Sequence, residues 1–390
     1  MTVKNNMKKS LGLYLHIPFC KQKCNYCDFY SLGCHESKIP QYIDALCTHI
    51  KKEAHLYRDY QIDTVFLGGG TPSLVDETDF EKLAYTLREC FNITQNAELS
   101  LEANPGTLTR EKLNCYKRSG VNRISVGLQS TDDSQLKILG RIHTLEEFKE
   151  SYSLIRECGF DNVNIDIMYG LPNQSVDALS KTVNEVCSLS PEHISAYCLK
   201  IEENTPFYKM RNSLNLPTDD EEYEMYIKLV NDLKAFGYEQ YEISNFAKNN
   251  RRCVHNLKYW LSHEYVGFGP SAHSFFDGKR YFYENSIESY ISSINSADSV
   301  DNLPKKHYEM DTELAICGSD EYVMLKMRLS DGVSEEEFEN KYGASFTDEY
   351  PKILNFLKDG YVIYRDGAYS FTEKGFFVSN YILSQILKFN

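Results

Sequence analysis

Three cysteines near the start of the chain have a spacing that suits metal chemistry. Cys20, Cys24 and Cys27 occur in HIPFCKQKCNYCDF, separated by three and then two residues. Thiolates are the usual ligands of iron–sulfur clusters, and one short loop can bring three of them to neighbouring corners of a cube. The spacing therefore favours a 4Fe–4S cluster in which one iron has no protein ligand and is open to a small molecule.

A zinc ion is the alternative occupant of this loop. Structural zinc normally takes four protein ligands, and His16, Cys34 or His35 could supply the fourth. The cysteines outside the triad follow no pattern, which is typical of free thiols in a reducing compartment. These scattered residues are Cys34, Cys47, Cys90, Cys115, Cys158, Cys187, Cys198, Cys253 and Cys317.

A glycine-rich segment and several polar residues could bind the ligand of the open iron. VFLGGGTPS (65–73) matches neither a dinucleotide-binding fingerprint nor a phosphate-binding loop, but its glycines permit close approach of the backbone to a ligand. Taken alone, it is also compatible with an ordinary turn between a strand and a helix. Polar side chains follow later strands and suit a ligand with an amine and a carboxylate, although each could instead be a core or capping residue: Glu102, Gln129, Arg141 and Asp166.

These residues must be positioned by alternating strands and helices. Strands are predicted at 11–17, 64–69, 98–103, 123–129, 162–170 and 193–201, with helical spacing of apolar residues at 40–58, 77–91, 109–119, 144–158 and 175–188. Alternation of this kind indicates an α/β fold with a parallel sheet. We predict an incomplete (β/α)6 barrel over residues 1–215, with its ligands at the carboxyl ends of the strands.

The rest of the chain has a different pattern. Residues 216–305 contain one strong helix and then an aromatic, loop-rich stretch. Residues 306–390 predict helices at 313–329, 334–342 and 350–358, followed by a hairpin that turns at Asp366 and Gly367. This order resembles a winged helix. A packing or lid module is favoured over DNA binding, since the third helix offers only two lysines.

The composition also argues against a nucleic-acid substrate. The 390 residues carry a formal net charge of −14, whereas binding to phosphates favours a basic surface. No apolar stretch is long enough for a transmembrane helix, and the N-terminus does not match a signal peptide. We therefore expect a cytoplasmic protein.

The cysteine triad, with Tyr26 before its last member, resembles the signature of the radical SAM superfamily. The resemblance implies that the open iron binds S-adenosylmethionine (SAM) and that the reduced cluster can donate an electron to its sulfonium. It places Tyr14 beside the SAM bound near the cluster, and Gly69, Gly70 and Thr71 at the methionine end. Glu102, Gln129, Arg141 and Asp166 are then expected to surround the remainder of SAM.

Further motifs resemble one subgroup, the oxygen-independent coproporphyrinogen III dehydrogenases and their relatives, the haem chaperones of the HemW family. These motifs are LYLHIPFC, GGGTPS, SLEANP, RISVGLQS, LGRIH, DIMYGLP and GFGPSAHS. The dehydrogenase pattern has a fourth cysteine two residues after the third, where this chain has Phe29, and it also has a longer N-terminal extension. Both differences favour the chaperone group.

A second motif, CVHNLKYW, matches the H-N-x-x-Y-W pattern associated with haem in the chaperones. The resemblance implies haem contacts by His255, Asn256, Tyr259 and Trp260, and imidazole is a common axial ligand of haem iron. On spacing alone, a structural His-Asn turn beside core aromatic residues would be the favoured explanation of the motif. Whether His255 is the axial ligand stays open.

The favoured hypothesis is a chaperone that carries haem as cargo to a haem-requiring protein. The resemblance suggests a respiratory acceptor associated with the membrane, so that the chain would also work peripherally there. Two alternatives remain, a coproporphyrinogen III dehydrogenase and a radical SAM methyltransferase. The sequence leaves open whether SAM is cleaved in turnover and whether the chain forms a homodimer, and it assigns no catalytic residue.

Overall fold

The computed structural model describes residues 9–296, 303–308 and 318–388. The strands are β1 (Lys9–Ile17), β2 (Phe19–Cys20), β3 (Leu32–Gly33), β4 (Tyr60–Gly69), β5 (Ile93–Ala103), β6 (Arg123–Gln129), β7 (Val163–Tyr169), β8 (His193–Cys198), β9 (Glu239–Gln240), β10 (Asn245–Ala247), β11 (Tyr265–Phe268), β12 (His273–Phe276), β13 (Lys279–Tyr283), β14 (Lys306–Tyr308), β15 (Val333–Ser334), β16 (Val362–Arg365) and β17 (Ala368–Phe371).

The helices complete the alternation with the strands. They are α1 (Ile39–Glu53), α2 (Glu77–Cys90), α3 (Arg110–Arg118), α4 (Asp133–Ile138), α5 (Leu145–Glu157), α6 (Val176–Ser188), α7 (Pro206–Met210), α8 (Asp219–Ala235), α9 (Val254–Trp260), α10 (Ile287–Ser296), α11 (Ser319–Lys326), α12 (Glu335–Tyr342), α13 (Phe346–Glu349), α14 (Ile353–Lys358), α15 (Glu373–Phe377) and α16 (Ser379–Ile386). No helix within the described ranges has the length and apolar character needed to cross a bilayer.

The chain forms two compact units, each made from separate stretches of sequence. The described residues of the first unit are 9–127, 140–163, 263–296 and 303–308, and those of the second are 128–139, 164–262 and 318–388. Each unit contains part of the predicted α/β pattern. The strands predicted at six places all form, as β1, β4, β5, β6, β7 and β8, and the predicted helices between them form as α1, α2, α3, α5 and α6.

In the first unit, β1 pairs in parallel with β4, β4 with β5, and β5 with β6. Apolar side chains bury this sheet; Leu11, Leu13, Leu15 and Ile17 of β1 are fully buried. Helix starts are fixed by caps, such as the capping box of Thr144 with Glu147 at α5. Because the strands are parallel, their carboxyl ends lie along the same edge of the sheet.

The aromatic stretch after residue 260 was predicted to be rich in loops, and this prediction is wrong. The stretch instead adds strands to the first unit. β11 pairs in parallel with β1, and β12, β13 and β14 continue in antiparallel order. The sheet is therefore mixed. These strands are only three to five residues long, which is too short for alternation in the sequence to reveal them.

In the second unit, β7 and β8 pair in parallel, and β10 and β9 add to β8 in antiparallel order. A separate sheet has the order β15-β17-β16. The predicted hairpin joins β16 to β17, and its turn residues Asp366 and Gly367 have φ values of 52° and 79°, as a type I′ turn requires. The predicted helix at 313–329 is present as α11 from Ser319, whereas its first residues, 313–317, lie outside the described ranges.

Glu242 is an unusual buried acid in the second unit. Its side chain is 1% exposed, and one carboxylate oxygen accepts a hydrogen bond from the Ser244 amide at 2.9 Å. Burial raises the pKa of Glu242 to about 7, although Ser244, Asn245 and the charge of Arg328 oppose the rise. The folded protein therefore retains a proton on this carboxyl at pH values where the unfolded chain has already released it.

We predict that Glu242→Gln removes a pH dependence of stability. The folded pKa is raised, so the wild type should lose stability as pH rises from about 4.5 to about 7, and the deficit should be complete above pH 7. The variant, which is neutral throughout, should exceed the wild type by about 3 kcal/mol in free energy of unfolding at pH 8 and match it near pH 4.5. Urea denaturation at both pH values measures this difference, with the exposed Glu239→Gln as control. An equal difference between variant and wild type at the two pH values would contradict the prediction.

Candidate functional site

The cysteine loop is closed at its base by backbone hydrogen bonds in the first unit. β2 pairs in parallel with β3, so that the Leu32 amide donates to Pro18 and the Cys34 amide donates to Cys20. Within the loop, the Cys27 amide donates to the carbonyl of Cys24 at 3.3 Å. All three predicted ligands are half-buried. The loop is therefore a defined turn that follows β1 at the carboxyl edge of the sheet.

The three thiols also influence one another electrostatically. Burial raises the pKa of Cys20 and raises that of Cys27 to about 11, and the nearby Cys24 adds to both shifts. A bound metal would oppose these shifts, because coordination favours the thiolate. In the described ranges no three His, Cys, Asp or Glu side chains are grouped as ligands of one metal ion. A cluster does not require such a group, since each cysteine ligates a different iron.

The residues proposed to complete a zinc site are engaged elsewhere. Both ring nitrogens of His16 make hydrogen bonds of 2.9 Å, one with the Tyr14 hydroxyl and one with the Tyr30 carbonyl. The Cys34 thiol donates to the Lys21 carbonyl, and the His35 ring contacts the Gly33 carbonyl. The triad is thus without a fourth ligand among these three candidates, as a cluster with an open iron requires.

A chain of hydrogen bonds joins two of the cysteines through Thr71 after β4, Asn104 after β5, and Arg141 between α4 and α5. The Thr71 hydroxyl donates to the sulfur of Cys20 at 3.6 Å, and the Asn104 amide donates to the Thr71 hydroxyl at 2.8 Å. Arg141 donates to the Asn104 oxygen at 2.6 Å and to the sulfur of Cys24 at 3.6 Å. Asn104 was missed by the sequence analysis, although it follows β5 directly and lies two residues after Glu102.

Arg141 has the features of a residue that binds an anionic ligand. Its guanidinium donates to the Gly127 carbonyl at 2.6 Å, which fixes its plane. Its Nε–H is buried and has no hydrogen-bond partner among the described residues. A buried donor without a partner is unfavourable unless a ligand accepts from it. Arg141 also lines a crevice with Cys24, Thr71 and Asn104, so these residues fit a cluster and a carboxylate-bearing ligand.

The glycine segment continues the strand pairing towards the cysteine loop. The Gly70 amide donates to Ile17 at 2.9 Å, and the Thr71 amide donates to Phe19 at 2.7 Å. A Cβ atom at Gly70 would lie 2.6 Å from the Phe19 carbonyl oxygen, so any other residue would push this backbone away from the loop. The Gly69 amide donates to the Glu102 carboxylate at 3.0 Å. The segment at the end of β4 thus forms hydrogen bonds with β1, β2 and β5 at the predicted site.

Two aromatic residues of the predicted site are influenced by its charges. The Tyr14 hydroxyl bonds to His16, and burial followed by the Glu102 charge raises the pKa of Tyr14 well above its usual value. Burial also raises the pKa of Tyr26, while Arg141 opposes that rise. Both hydroxyls therefore stay protonated and can donate hydrogen bonds.

Gln129 and Asp166 lie on the second unit, at the end of β6 and within β7. Gln129 is buried and has a φ of 72°, a left-handed conformation that is uncommon for residues other than glycine. Asp166 accepts a hydrogen bond from the Asn164 amide at 2.7 Å. The structure thus gives Asp166 a defined orientation and gives Gln129 a special backbone conformation.

The H-N-x-x-Y-W motif forms the short helix α9 in the second unit. His255 is fully buried, and its Nε2 atom lies 2.8 Å from the Tyr259 hydroxyl one turn later. Trp260 lies one turn after Asn256 and is contacted by the Arg328 guanidinium, 5.6 Å from its ring centroid. The Trp260 indole N–H is buried without a hydrogen-bond partner in the described part of the chain. The structure therefore places the four motif residues on one short helix, with Nε2 of His255 hydrogen-bonded to the Tyr259 hydroxyl.

Comparison with known proteins gives consistent matches along the chain. The radical SAM superfamily model matches residues 14–186, and the HemN C-terminal domain model matches residues 320–378. A protein named heme chaperone HemW from Bacillus subtilis is 34% identical over 379 residues, which cover 96% of this chain and 98% of that protein. Its namesake from Escherichia coli is 39% identical over 274 residues, covering 69% and 72%.

A solved structure supports the fold. The chain superimposes on coproporphyrinogen III oxidase (HemN) from Escherichia coli, described as a radical SAM enzyme, with a TM-score of 0.83 and 22% identity. The match covers 98% of this chain and 91% of that one. The radical SAM fold with a C-terminal helical domain is thereby confirmed. From its sequence matches and this fold, the chain belongs to the HemW family of the radical SAM superfamily.

Proposed function

We propose that this protein is a radical SAM haem chaperone, which holds a 4Fe–4S cluster and SAM, binds haem and delivers it to a haem-requiring protein. The observation that carries the proposal is similarity over nearly the full length to several proteins named heme chaperone HemW. The exposed Phe29 at the fourth-cysteine position and the H-N-x-x-Y-W helix support the same assignment.

Cys20, Cys24 and Cys27 would hold the cluster. When bound, the cluster and SAM supply one-electron chemistry at the sulfonium. In this proposal the Nε–H of Arg141, which has no hydrogen-bond partner among the described residues, donates to the carboxylate of SAM, a geometry that lysine could not reproduce. Gly69, Gly70 and Thr71 provide close backbone contact at the methionine end, and Glu102 with Tyr14 provides an acceptor and a donor. Gln129 and Asp166 remain the predicted contacts on the second unit.

Helix α9 would provide the haem contacts. Tyr259 and Trp260 offer aromatic faces, and Asn256 offers an amide on the same turn as His255. In this proposal His255 ligates iron through Nε2, which must exchange the Tyr259 hydroxyl for the metal. The free energy of haem binding is then less favourable by about the contribution of one hydrogen bond. The haem acceptor is proposed to be a respiratory protein at the membrane, as the resemblance implies, which would bring the chaperone there peripherally.

A direct test compares haem binding with coproporphyrinogen turnover in the same preparation. The protein is reconstituted with iron and sulfide without oxygen, titrated with haemin, and incubated with SAM, a reductant and coproporphyrinogen III. We expect stoichiometric haemin binding and no protoporphyrinogen. Formation of protoporphyrinogen would instead support the dehydrogenase, and methyl transfer from SAM without haemin binding would support the methyltransferase.

We predict that Cys24→Ala removes the cluster, because two remaining protein ligands hold a four-iron cube poorly. The reconstituted variant should lose most of the brown absorbance and of the four irons per chain. Cys34→Ala is the matched control, since Cys34 is an exposed thiol of the adjoining segment whose sulfur contacts the Lys21 carbonyl. Four irons in Cys24→Ala, or loss of iron in Cys34→Ala, would contradict the assignment.

We predict that Asn104→Ala weakens SAM binding about tenfold while the cluster stays complete. The substitution removes the hydrogen bonds to Arg141 and Thr71, each worth about 1 kcal/mol. Equilibrium dialysis with labelled SAM on iron-loaded protein measures the change, and Asn96→Ala on the exposed part of β5 is the control. Wild-type SAM affinity in an iron-replete Asn104→Ala variant would show that Asn104 does not orient Arg141.

We predict that two substitutions on α9 change haemin binding in different ways. His255→Ala should change the haemin difference spectrum, because the proposed axial ligand is lost. Tyr259→Phe retains the ring but frees Nε2 of His255, so haemin affinity should rise about fivefold. The exposed His55→Ala serves as control. An unchanged spectrum for His255→Ala would exclude His255 from the haem site.

A further inference from the structure

A continuous chain of hydrogen bonds runs through the second unit from Asp166 to the start of α9. Asp166 accepts from the Asn164 amide at 2.7 Å, and the Asn164 oxygen lies 2.6 Å from Nδ1 of His193. Nε2 of His193 lies 2.8 Å from the Tyr241 hydroxyl. That hydroxyl accepts from the backbone amide of Cys253 at 3.2 Å. The chain thus joins a predicted SAM contact to the residue that precedes the H-N-x-x-Y-W helix.

The direction of every bond in this chain follows from the donor and acceptor types. The Asn164 oxygen can only accept, so Nδ1 of His193 must carry the proton that it donates. Nε2 of His193 can then accept from the Tyr241 hydroxyl, whose oxygen in turn accepts from Cys253. Each donor in this chain of bonds therefore has a matching acceptor when the protons are placed in this way.

Burial makes this arrangement stiff. His193, Tyr241 and Cys253 are fully buried, and Asn164 is 1% exposed. The Asn164 oxygen also accepts from the Ser195 hydroxyl at 3.1 Å, which prevents the amide from rotating freely. In a site with little water, each bond is strong and an unmade bond is costly. Only Asp166, at the end of the chain of bonds, is partly exposed and can respond to a ligand.

The opposite end of the chain of bonds reaches the start of the short helix α9. α9 contains seven residues, and its N-cap Cys253 makes no side-chain capping bond. So short a helix is not stable by itself and takes its position from tertiary contacts. Tyr241 supplies one such contact directly at the backbone. A shift of Tyr241 would therefore move the first turn of the helix, which includes His255.

We propose that His193 and Tyr241 are positioning residues that couple ligand binding at Asp166 to the placement of α9, so that SAM and haem affect each other's affinity. The inference rests on the proposed function, in which Asp166 contacts SAM and α9 contacts haem. A ligand that hydrogen-bonds the Asp166 carboxylate redirects its interaction with Asn164, and the change passes along the chain. Coupling between two binding sites is reciprocal, so haem must change the affinity for SAM by the same factor.

The test measures haemin affinity of the full-length, cluster-loaded protein with and without saturating SAM. In the wild type we expect SAM to change the haemin Kd by about fivefold or more, a common size for coupled sites. Tyr241→Phe keeps the ring but breaks both bonds of the hydroxyl, so haemin and SAM should still bind while the ratio of the two Kd values falls to near one. The reverse titration, SAM binding with and without haemin, should give the same factors.

A matched control separates this role from general destabilisation. Tyr238 is also buried, and its hydroxyl donates to the Pro191 carbonyl at 2.6 Å outside the chain of bonds. Tyr238→Phe should keep the wild-type ratio. Asn164→Asp is a second variant, because it keeps an acceptor for His193 but replaces the donor to Asp166 by a carboxylate oxygen; its ratio should also fall to near one.

The possible outcomes separate the two proposals. Independent binding of SAM and haemin in the wild type, a wild-type ratio in Tyr241→Phe, or loss of the ratio in Tyr238→Phe would each overturn the coupling alone. Failure of the wild type to bind either compound would overturn the proposed function, and the coupling with it. The assigned role is supported if the ratio of the haemin Kd values with and without SAM falls to near one in Tyr241→Phe and Asn164→Asp and keeps its wild-type value in Tyr238→Phe.

Discussion

The proposed cluster site imposes the central constraint on this protein: three thiols must lie close together and still leave one side of the site open. A loop of eight residues from Cys20 to Cys27 achieves this because short strands close its base and Thr71 and Arg141 contact two of its sulfurs. Those contacts come from segments distant in sequence. The parallel sheet brings Thr71 to the loop, since it places the ends of β1, β4 and β5 side by side, whereas Arg141 reaches the loop from the segment between α4 and α5.

The same arrangement explains the polarity of the site. Donors surround the sulfurs: a hydroxyl from Thr71 and a guanidinium from Arg141, with Asn104 between them fixing both orientations. A thiolate-bound cluster and a carboxylate both gain from such donors, whereas water or a buried neutral side chain would not need them. The Nε–H of Arg141 has no partner among the described residues, so the site can donate a further hydrogen bond to a ligand that accepts one.

The second unit obeys a different constraint, because its proposed haem residues are buried and hydrogen-bonded. His255 is occupied by Tyr259, and the helix that carries both is held at its start by Tyr241. Near its end, Trp260 contacts Arg328, whose charge also acts on the buried Glu242. Binding at this helix must therefore compete with existing contacts. Such competition suits a protein that has to release what it binds.

The sequence alone determined the types and the spacing of the predicted cluster ligands, because three cysteines with gaps of three and two residues are a covalent property of the chain. It also revealed the long parallel strands, whose continuous apolar runs are visible without a structure. It did not reveal the short aromatic strands β11 to β13, Asn104, or the bonds that occupy His16 and His255. Those features depend on which segments meet. Only the tertiary structure decided them, since hydrogen bonds and burial between distant residues are set by strand order and packing.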